Sequence, residues 1–361
     1  MNSEDNILIF DLFSGVGFCN QLFSLETAVY LANISNRHLV LCVRFPLSHC
    51  GRVDWEYGFF PNFFPQLDAT VSKGITVIKG KTGHNFVAEN NMSNVVEVAN
   101  ENWFSRVLFQ DETYLGDAPP AVQGGRPLSS LVLSDFEDHY AIKISHSNAS
   151  RLFTNFLTNL SRYEEMNRVA RALSLLPTEL TELVKSIELP KQFAAVHFRF
   201  GDTKRPKEDI DKTFEEYKRH FDLEALSRMG LPLLVMVDRK DGEFLRELDK
   251  HQLDYQFTDD LTRTVRESYQ PTFTKCSNKS VIDFLLEKII CEKASMFYAN
   301  YGSTVSAHIN YQRFLSGVGA INQFCNRIDP PSEDGKLSFA DHAEQGPGIG
   351  WRAFWTDNVL T

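Results

Sequence analysis

Apolar residues in this chain gather in short unbroken runs, separated by stretches with helical spacing. Ile7-Leu-Ile-Phe10 is followed by a glycine-containing turn, Ser14-Gly-Val-Gly-Phe-Cys-Asn20, and then by Gln21 to Asn33, where Leu22, Leu25, Val29 and Ala32 share one helical face. Leu39-Val-Leu-Cys-Val43 is a second apolar run. Two strands without polar alternation, joined by a helix, predict parallel pairing covered on both faces.

The pattern returns near residue 193. Phe193 to Phe200 and Leu231 to Val237 read as strands, and Lys240 to Gln252 and Val281 to Lys293 as helices. Met296 to Asn300 is a short strand, and helical spacing resumes at Ala307, Ile309, Asn310 and Phe314. Between the halves lie Phe-rich segments punctuated by Gly and Pro (Phe59 to Phe64, Gly116 to Pro127), then helical patterns at Asn148 to Leu160 and Tyr163 to Leu176. The expectation is an α/β protein of two domains, 1–175 and 176–361, with a boundary in the region 165–190. The aromatic cluster Trp351-Arg-Ala-Phe-Trp355 is expected to pack back onto the body.

Composition narrows this picture without redirecting it. With 361 residues, 43% hydrophobic and 23% charged, the chain can bury a sizeable core and is not disordered. No run approaches the roughly 18 apolar residues of a membrane span. Met1-Asn-Ser-Glu-Asp5 does not resemble a signal peptide, so a cytoplasmic location is expected, or a secretory lumen if a leader has been removed. A net charge of −10 argues against duplex DNA or an anionic membrane as partner, but leaves room for an anionic small molecule held by focused Arg residues. The six cysteines are scattered with no CxxC pair, which points to free, buried or half-buried thiols rather than structural zinc. Five Asn-x-Ser sequons, at Asn33, Asn91, Asn148, Asn159 and Asn278, read as chance occurrences.

Three segments carry candidate chemistry. Gly15-Val-Gly17-Phe-Cys-Asn20 follows a strand and opens a helix, where backbone N–H groups can hold a phosphate or carboxylate, and Asn20-Gln21 would set two amides at the helix mouth. As a dinucleotide fingerprint it is defective, because Asn20 replaces the third glycine and the second strand ends in Arg44 rather than an acid. Asp11-Leu-Phe-Ser-Gly-Val-Gly17 also resembles the first motif of DNA cytosine methyltransferases, although the chain has no Pro-Cys dipeptide to supply their nucleophile. A purely structural turn is the plain alternative. On the strand at His197-Phe-Arg199-Phe-Gly201-Asp202, period two projects His197 and Arg199 together and Phe198 and Phe200 to the other face. A forked, permanently charged donor at the carboxyl end of a parallel strand suits phosphate capture, although an Arg199–Asp202 ion pair would explain the same residues. The third segment, Gly302-Ser303-Thr304-Val-Ser306, follows a strand and precedes a helix, where small hydroxyl residues cap the helix or donate to a pyrophosphate.

In order and spacing, Asn20-Gln21 after a glycine turn, His197-x-Arg199-x-Gly201-Asp202 and Gly302-Ser303-Thr304-x-Ser306 resemble the motifs of the GDP-fucose-dependent fucosyltransferase superfamily. That group includes the protein O-fucosyltransferases, the α1,6-fucosyltransferases and the nodulation fucosyltransferase. The resemblance spans roughly residues 7 to 316 and implies a GT-B architecture: two Rossmann-like domains facing across a cleft, the first on the acceptor side, the second binding the GDP-sugar. It implies no metal and no cofactor beyond the GDP-fucose donor. Arg199 would hold the β-phosphate, Ser303, Thr304 and Ser306 the pyrophosphate, and Asn20 would face fucose; Gly17, His197 and Asp202 complete the donor-binding set. Val237-Asp238-Arg-Lys-Asp241 resembles the acid-bearing turn of that group, which makes Asp238 a candidate either to face the guanine or to support the residues that hold the donor. Glu208 resembles the residue that activates the acceptor in α1,6-fucosyltransferases, with Asp209 as alternate, against the plain reading of Lys207 to Asp211 as a solvated charge run. Phe200, where many members carry a second Arg, and Cys19, where Gly is usual, are departures. The implied reaction is inverting transfer of L-fucose to a hydroxyl of a protein or glycan. A SAM-dependent methyltransferase and a non-catalytic nucleotide-sugar or glycan binder are the other classes considered.

Overall fold

The computed structural model of the chain describes residues 6–12, 17–45, 64–98, 140–144, 164–174, 178–199, 227–228, 230–238, 240, 242–267, 279–300, 303–316 and 323–325. Backbone contacts divide them into two units, one ending at Leu176 and the other beginning at Pro177. Each unit is built on its own parallel sheet.

In the first unit, β1 (Ile7–Asp11) leads into α1 (Phe18–Ile34) and β2 (His38–Val43). Then come a short α2 (Leu67–Thr70), β3 (Ile75–Lys79), α3 (Gly83–Glu89), β4 (Val95–Val98), β5 (Ala141–Ile144) and α4 (Glu164–Leu173). The sheet order is β3-β2-β1-β5-β4, with every pairing parallel. The apolar runs that predicted strands are the central ones, and β1, β2 and β5 are buried at every residue. One face packs Ile7, Ile9, Val40, Cys42 and Ala141 against Phe86 of α3. Helix α1 is enclosed along most of its length, from Phe18 to Ala32, and starts one turn earlier than its spacing predicted.

Polar joints hold the elements where apolar packing gives no register. The Asn33 side chain donates to the Thr70 carbonyl (3.0 Å) and to Glu165 (2.8 Å) and accepts from the Ser72 N–H (2.9 Å). That sequon asparagine is thus committed to joining α1 to α4, which fits its reading as a chance motif. Buried Arg37 donates to the carbonyls of Ile7 (3.4 Å) and Tyr140 (3.2 Å) at the amino ends of β1 and β5. Helix α3 opens with a capping box between Thr82 and Asn85.

At the first residue of α3, Gly83 donates its N–H to the buried Asp11 carboxylate at the end of β1. A Cβ there would stand 2.8 Å from Ile9 Cγ2, 3.2 Å from Asp11 Oδ1 and 3.3 Å from Lys143 Cγ. Ile9 is fully buried and β-branched, so it cannot swing aside cheaply. Gly83→Ala should therefore cost about 1–3 kcal/mol of stability, read by urea unfolding.

The second unit runs α5 (Thr178–Ser186), β6 (Ala194–Phe198), β7 (Leu233–Val237), α6 (Gly242–Lys250), β8 (Tyr255–Phe257), α7 (Thr258–Glu267), α8 (Lys279–Lys293), β9 (Met296–Asn300), α9 (Thr304–Leu315) and β10 (Gln323–Cys325). Its sheet order, β8-β7-β6-β9-β10, is all parallel and winds outward from β6 in both directions. This is the doubly wound order of nucleotide-binding sheets. Ala194, Val196 and Phe198 pack with Leu233, Val235, Leu248, Phe257 and Tyr298. Phe198 thus lies in the core, as period two required, while Phe200 lies outside the described residues.

Cys19, Cys42 and Cys291 are free and buried. Burial, with a smaller push from the Asp11 charge, raises the Cys42 thiol to about 12, so it stays protonated and unreactive. Among the described residues, no helix is long and apolar enough to cross a membrane.

Candidate functional site

In an open parallel sheet, ligands bind beyond the carboxyl ends of the strands, at the point where the winding reverses. In the second unit that point lies between β6 and β9. The two strands pair only from Ala194↔Met296 to Val196↔Tyr298, whereas β6 continues beside β7 to Phe198↔Val237 and β9 beside β10 to Asn300↔Cys325. The carboxyl ends of β6 and β9 are therefore not tied to each other by the ladder. Arg199 follows the first of them and Ser303 the second.

A side-chain bond spans the gap. His197 Nδ1 and Ser306 Oγ lie 2.7 Å apart and join β6 to the first turn of α9. His197 is buried, and the imidazole is held down to about 3, first by burial and then by the Arg199 charge. It is therefore neutral throughout the physiological range and available as a hydrogen-bonding strut. Arg199 itself is exposed at the strand end.

Ser303, just ahead of α9, is buried, and its hydroxyl finds no partner among the described residues. Helix α9 has no acidic residue in its first turn. Its N-terminal amides and dipole are thus not offset by a local carboxylate, an arrangement that favours an anion there. Thr304 is half-buried at the first helical position. Arg199, Ser303, Thr304 and Ser306 are accordingly brought to one end of one sheet.

The remaining sequence candidates fare differently. Asp238 is exposed at the bend after β7, at the same edge of the sheet as Arg199. Asp202, Glu208 and Asp209 lie outside the described residues. In the first unit, Gly17 occupies the N-cap of α1 at φ −58°, a conformation open to any residue. Asn20 is half-buried in the first turn and makes no side-chain hydrogen bond among the described residues, and this helix too has no acidic residue in its first turn. The expectation of two amides at the helix mouth needs correction. Because α1 starts at Phe18, Gln21 is carried into the helix body and is fully buried. At the methyltransferase-like stretch, Asp11 is buried and receives the Gly83 N–H, and exposed Arg44 follows β2 where a ribose-binding acid would stand.

One titratable group gave no sequence signal. Glu287, half-buried on α8, accepts from the Thr258 hydroxyl, which also lies 3.3 Å from the Val235 carbonyl. Burial of its carboxyl is the main cause raising it to about 7; Asp259 and Asp283 add to the rise, and Thr258 and Lys240 oppose it. Lys240 in turn pairs with Asp259 (2.9 Å) and Asp260 (3.2 Å) and stands 4.3 Å over the Phe257 ring. In sequence, Glu287 is one more charge among several on its helix.

No protein-family profile matches the chain, and no curated protein matches it. Solved structures do. The fucosyltransferase NodZ from Bradyrhizobium aligns with a TM-score of 0.46 and 14% identity, over 85% of this chain and 93% of that one. A NodZ alpha-1,6-fucosyltransferase soaked with GDP-fucose aligns at 0.46 and 11%, over 86% and 93%. POFUT1 in complex with GDP aligns at 0.47 and 15%, over 90% and 99%.

Proposed function

We propose that this chain is a metal-independent fucosyltransferase that takes L-fucose from GDP-fucose and transfers it with inversion to a hydroxyl of a protein or glycan. The observation that carries this reading is the His197–Ser306 bond. It joins two of the three motif segments, far apart in the chain, at the winding reversal of a parallel sheet.

The roles follow from chemistry at that place. As the bond from the fucose anomeric carbon to the β-phosphate oxygen breaks, its electron pair goes to GDP, and negative charge grows on the leaving group. Arg199 meets that charge with a fork of donors, and the Ser303 hydroxyl, Thr304 and the first amides of α9 receive the pyrophosphate. Ser306 acts through His197, holding the helix start against β6. On the opposite face of the sugar, the acceptor oxygen forms the new bond and yields its proton to a carboxylate, for which Glu208 is the candidate, with Asp209 as alternate. Asp202 supports the Arg199 turn and Asp238 the base end of the nucleotide. Gly17 and Asn20 of the first unit serve the fucose side.

The test is incubation with a panel of GDP- and UDP-sugars, reading nucleotide release with and without EDTA. GDP-fucose should release GDP at a rate that EDTA leaves unchanged. If no GDP-sugar turns over and millimolar GDP fails to raise the melting temperature, the reading is wrong. Stabilisation by S-adenosylhomocysteine instead would move the chain to the methyltransferase class.

A further inference from the structure

The hydroxyl of Thr258, the first residue of α7, meets two oxygens at once. One belongs to the Glu287 carboxyl on α8 and the other, 3.3 Å away, to the backbone carbonyl of Val235 on β7. Thr258 is fully buried. A hydroxyl has one proton to give and two lone pairs, so it can donate to only one of these oxygens. The Val235 carbonyl has no proton to offer in return. For both contacts to be hydrogen bonds, the second proton has to come from the Glu287 carboxyl, the one partner able to carry it.

We propose that Glu287, Thr258 and Val235 form a proton-operated latch on β7. With a proton on Glu287, its O–H donates to Thr258 Oγ1 and the Thr258 O–H donates to the Val235 carbonyl, so α8, α7 and β7 are joined in one line. When Glu287 ionises, its proton leaves to solvent and the hydroxyl turns to the carboxylate, because a hydrogen bond to a charged acceptor is the stronger one. The Val235 carbonyl then loses the hydroxyl. Val235 lies two residues before the end of β7, so the release falls where the strand passes toward Asp238 and Lys240.

The surroundings set the range in which the latch works. Burial raises the Glu287 carboxyl to about 7; the Thr258 hydrogen bond opposes this, Asp259 on α7 and Asp283 on α8 add to it, and Lys240 opposes it. Cys291, one turn further along α8, faces the same charge and stays a thiol. No charged group of α5 or α9, which also pack on α8, is among those acting on Glu287. Lys240 already pairs with Asp259 and Asp260, so an ionised Glu287 meets a cation that two carboxylates share.

The experiment follows the Val235 carbonyl itself. Val235-Met236 is the only Val-Met pair in the sequence, so the full chain labelled with carbon-13 at the valine carbonyl and nitrogen-15 at methionine gives one carbonyl signal when magnetisation is filtered through the peptide bond. In the native chain that signal should move upfield between about pH 6 and pH 9, as the carbonyl loses its hydroxyl donor, with a midpoint near 7. Glu287→Gln cannot ionise and Thr258→Val has no hydroxyl to turn, so in both the signal should stay still. Thr258→Ser restores the hydroxyl and should bring the movement back. A native signal that does not move, or movement that persists in Glu287→Gln or Thr258→Val, would overturn the latch. Should Thr258→Val fail to fold, the sign of the native movement decides: upfield supports the latch and downfield sinks it. No nucleotide enters the measurement, so the outcome holds whether or not the chain turns over GDP-fucose.

Discussion

Arg199→Ala should lower turnover of GDP-fucose by about two to three orders of magnitude while leaving the folded state intact. The separation of the two effects rests on position. Arg199 stands exposed beyond the last residue of β6, whereas His197 and Phe198 just before it are buried. The loss should fall on kcat rather than KM alone, because the guanidinium gains most as charge develops on departing GDP. Arg199→Lys keeps the charge but not the fork, and should recover only part of the rate. The measurement is GDP release under saturating donor, alongside the melting temperature. A loss of only about threefold in the Ala variant would take Arg199 out of the donor site.

The second large effect is on stability and comes from Glu287. Its carboxyl is raised from 4.5 to about 7 on folding, so the folded chain binds this proton more tightly than the unfolded one. Its stabilising contribution is fully present below pH 4.5 and is lost as pH rises through 7. His197 has the opposite sign: held down from 6.5 to about 3, it stabilises above pH 6.5 and loses that contribution as pH falls through 3. Between pH 4.5 and 6.5 the two slopes oppose each other, and above pH 7 the His197 contribution and the cost of ionised Glu287 are both fully in place. Glu287→Gln keeps an oxygen for Thr258 without the charge. Discounted for the residue's partial exposure, it should make the protein about 1–2 kcal/mol more stable at pH 8 and change little near pH 5. Urea unfolding at both pH values reads this directly, and equal differences at pH 5 and pH 8 would refute it.

Much of the architecture was legible because parallel strands covered on both faces leave an unmistakable trace. Each apolar run read as a strand, from Ile7, Leu39, Phe193, Leu231 and Met296, is a strand of a sheet; the helix after the last of these covers the residues whose spacing marked it, while the helix after the first starts one turn early. The strands that escaped notice are those whose pattern is broken for a reason. β5 carries Lys143, a buried charge beside the buried Asp11, so Ala141-Ile-Lys-Ile144 does not read as apolar. β3 and β8 are edge strands, only partly covered and less apolar. The helical pattern from Tyr163 to Leu176 contains α4, whereas α5, which begins at Thr178, lies beyond it and was not expected from spacing. For the site, period two placed His197 and Arg199, and hydroxyl-rich composition marked Ser303 to Ser306. Their meeting could not be read, since it depends on β9 lying beside β6, a pairing no local pattern encodes.

Strand order also bears on how the chain folds during synthesis. In the first unit β1 pairs with β2 on one side and with β5 on the other, and β4 touches the sheet only through β5. A ribosome would therefore release β1 to β4 in turn while one flank of β1 stays open, and β4 would wait without a neighbour, until Ala141 to Ile144 emerge. Such late closure over a long separation is slow and leaves an edge exposed to mispairing. In the second unit β6, β7 and β8 pair in the order in which they are made, and β9 and β10 then add one after the other on the far side of β6. The N-terminal half is thus where a chaperone would be needed during translation, and where a slowed ribosome between residues 98 and 141 would do most harm.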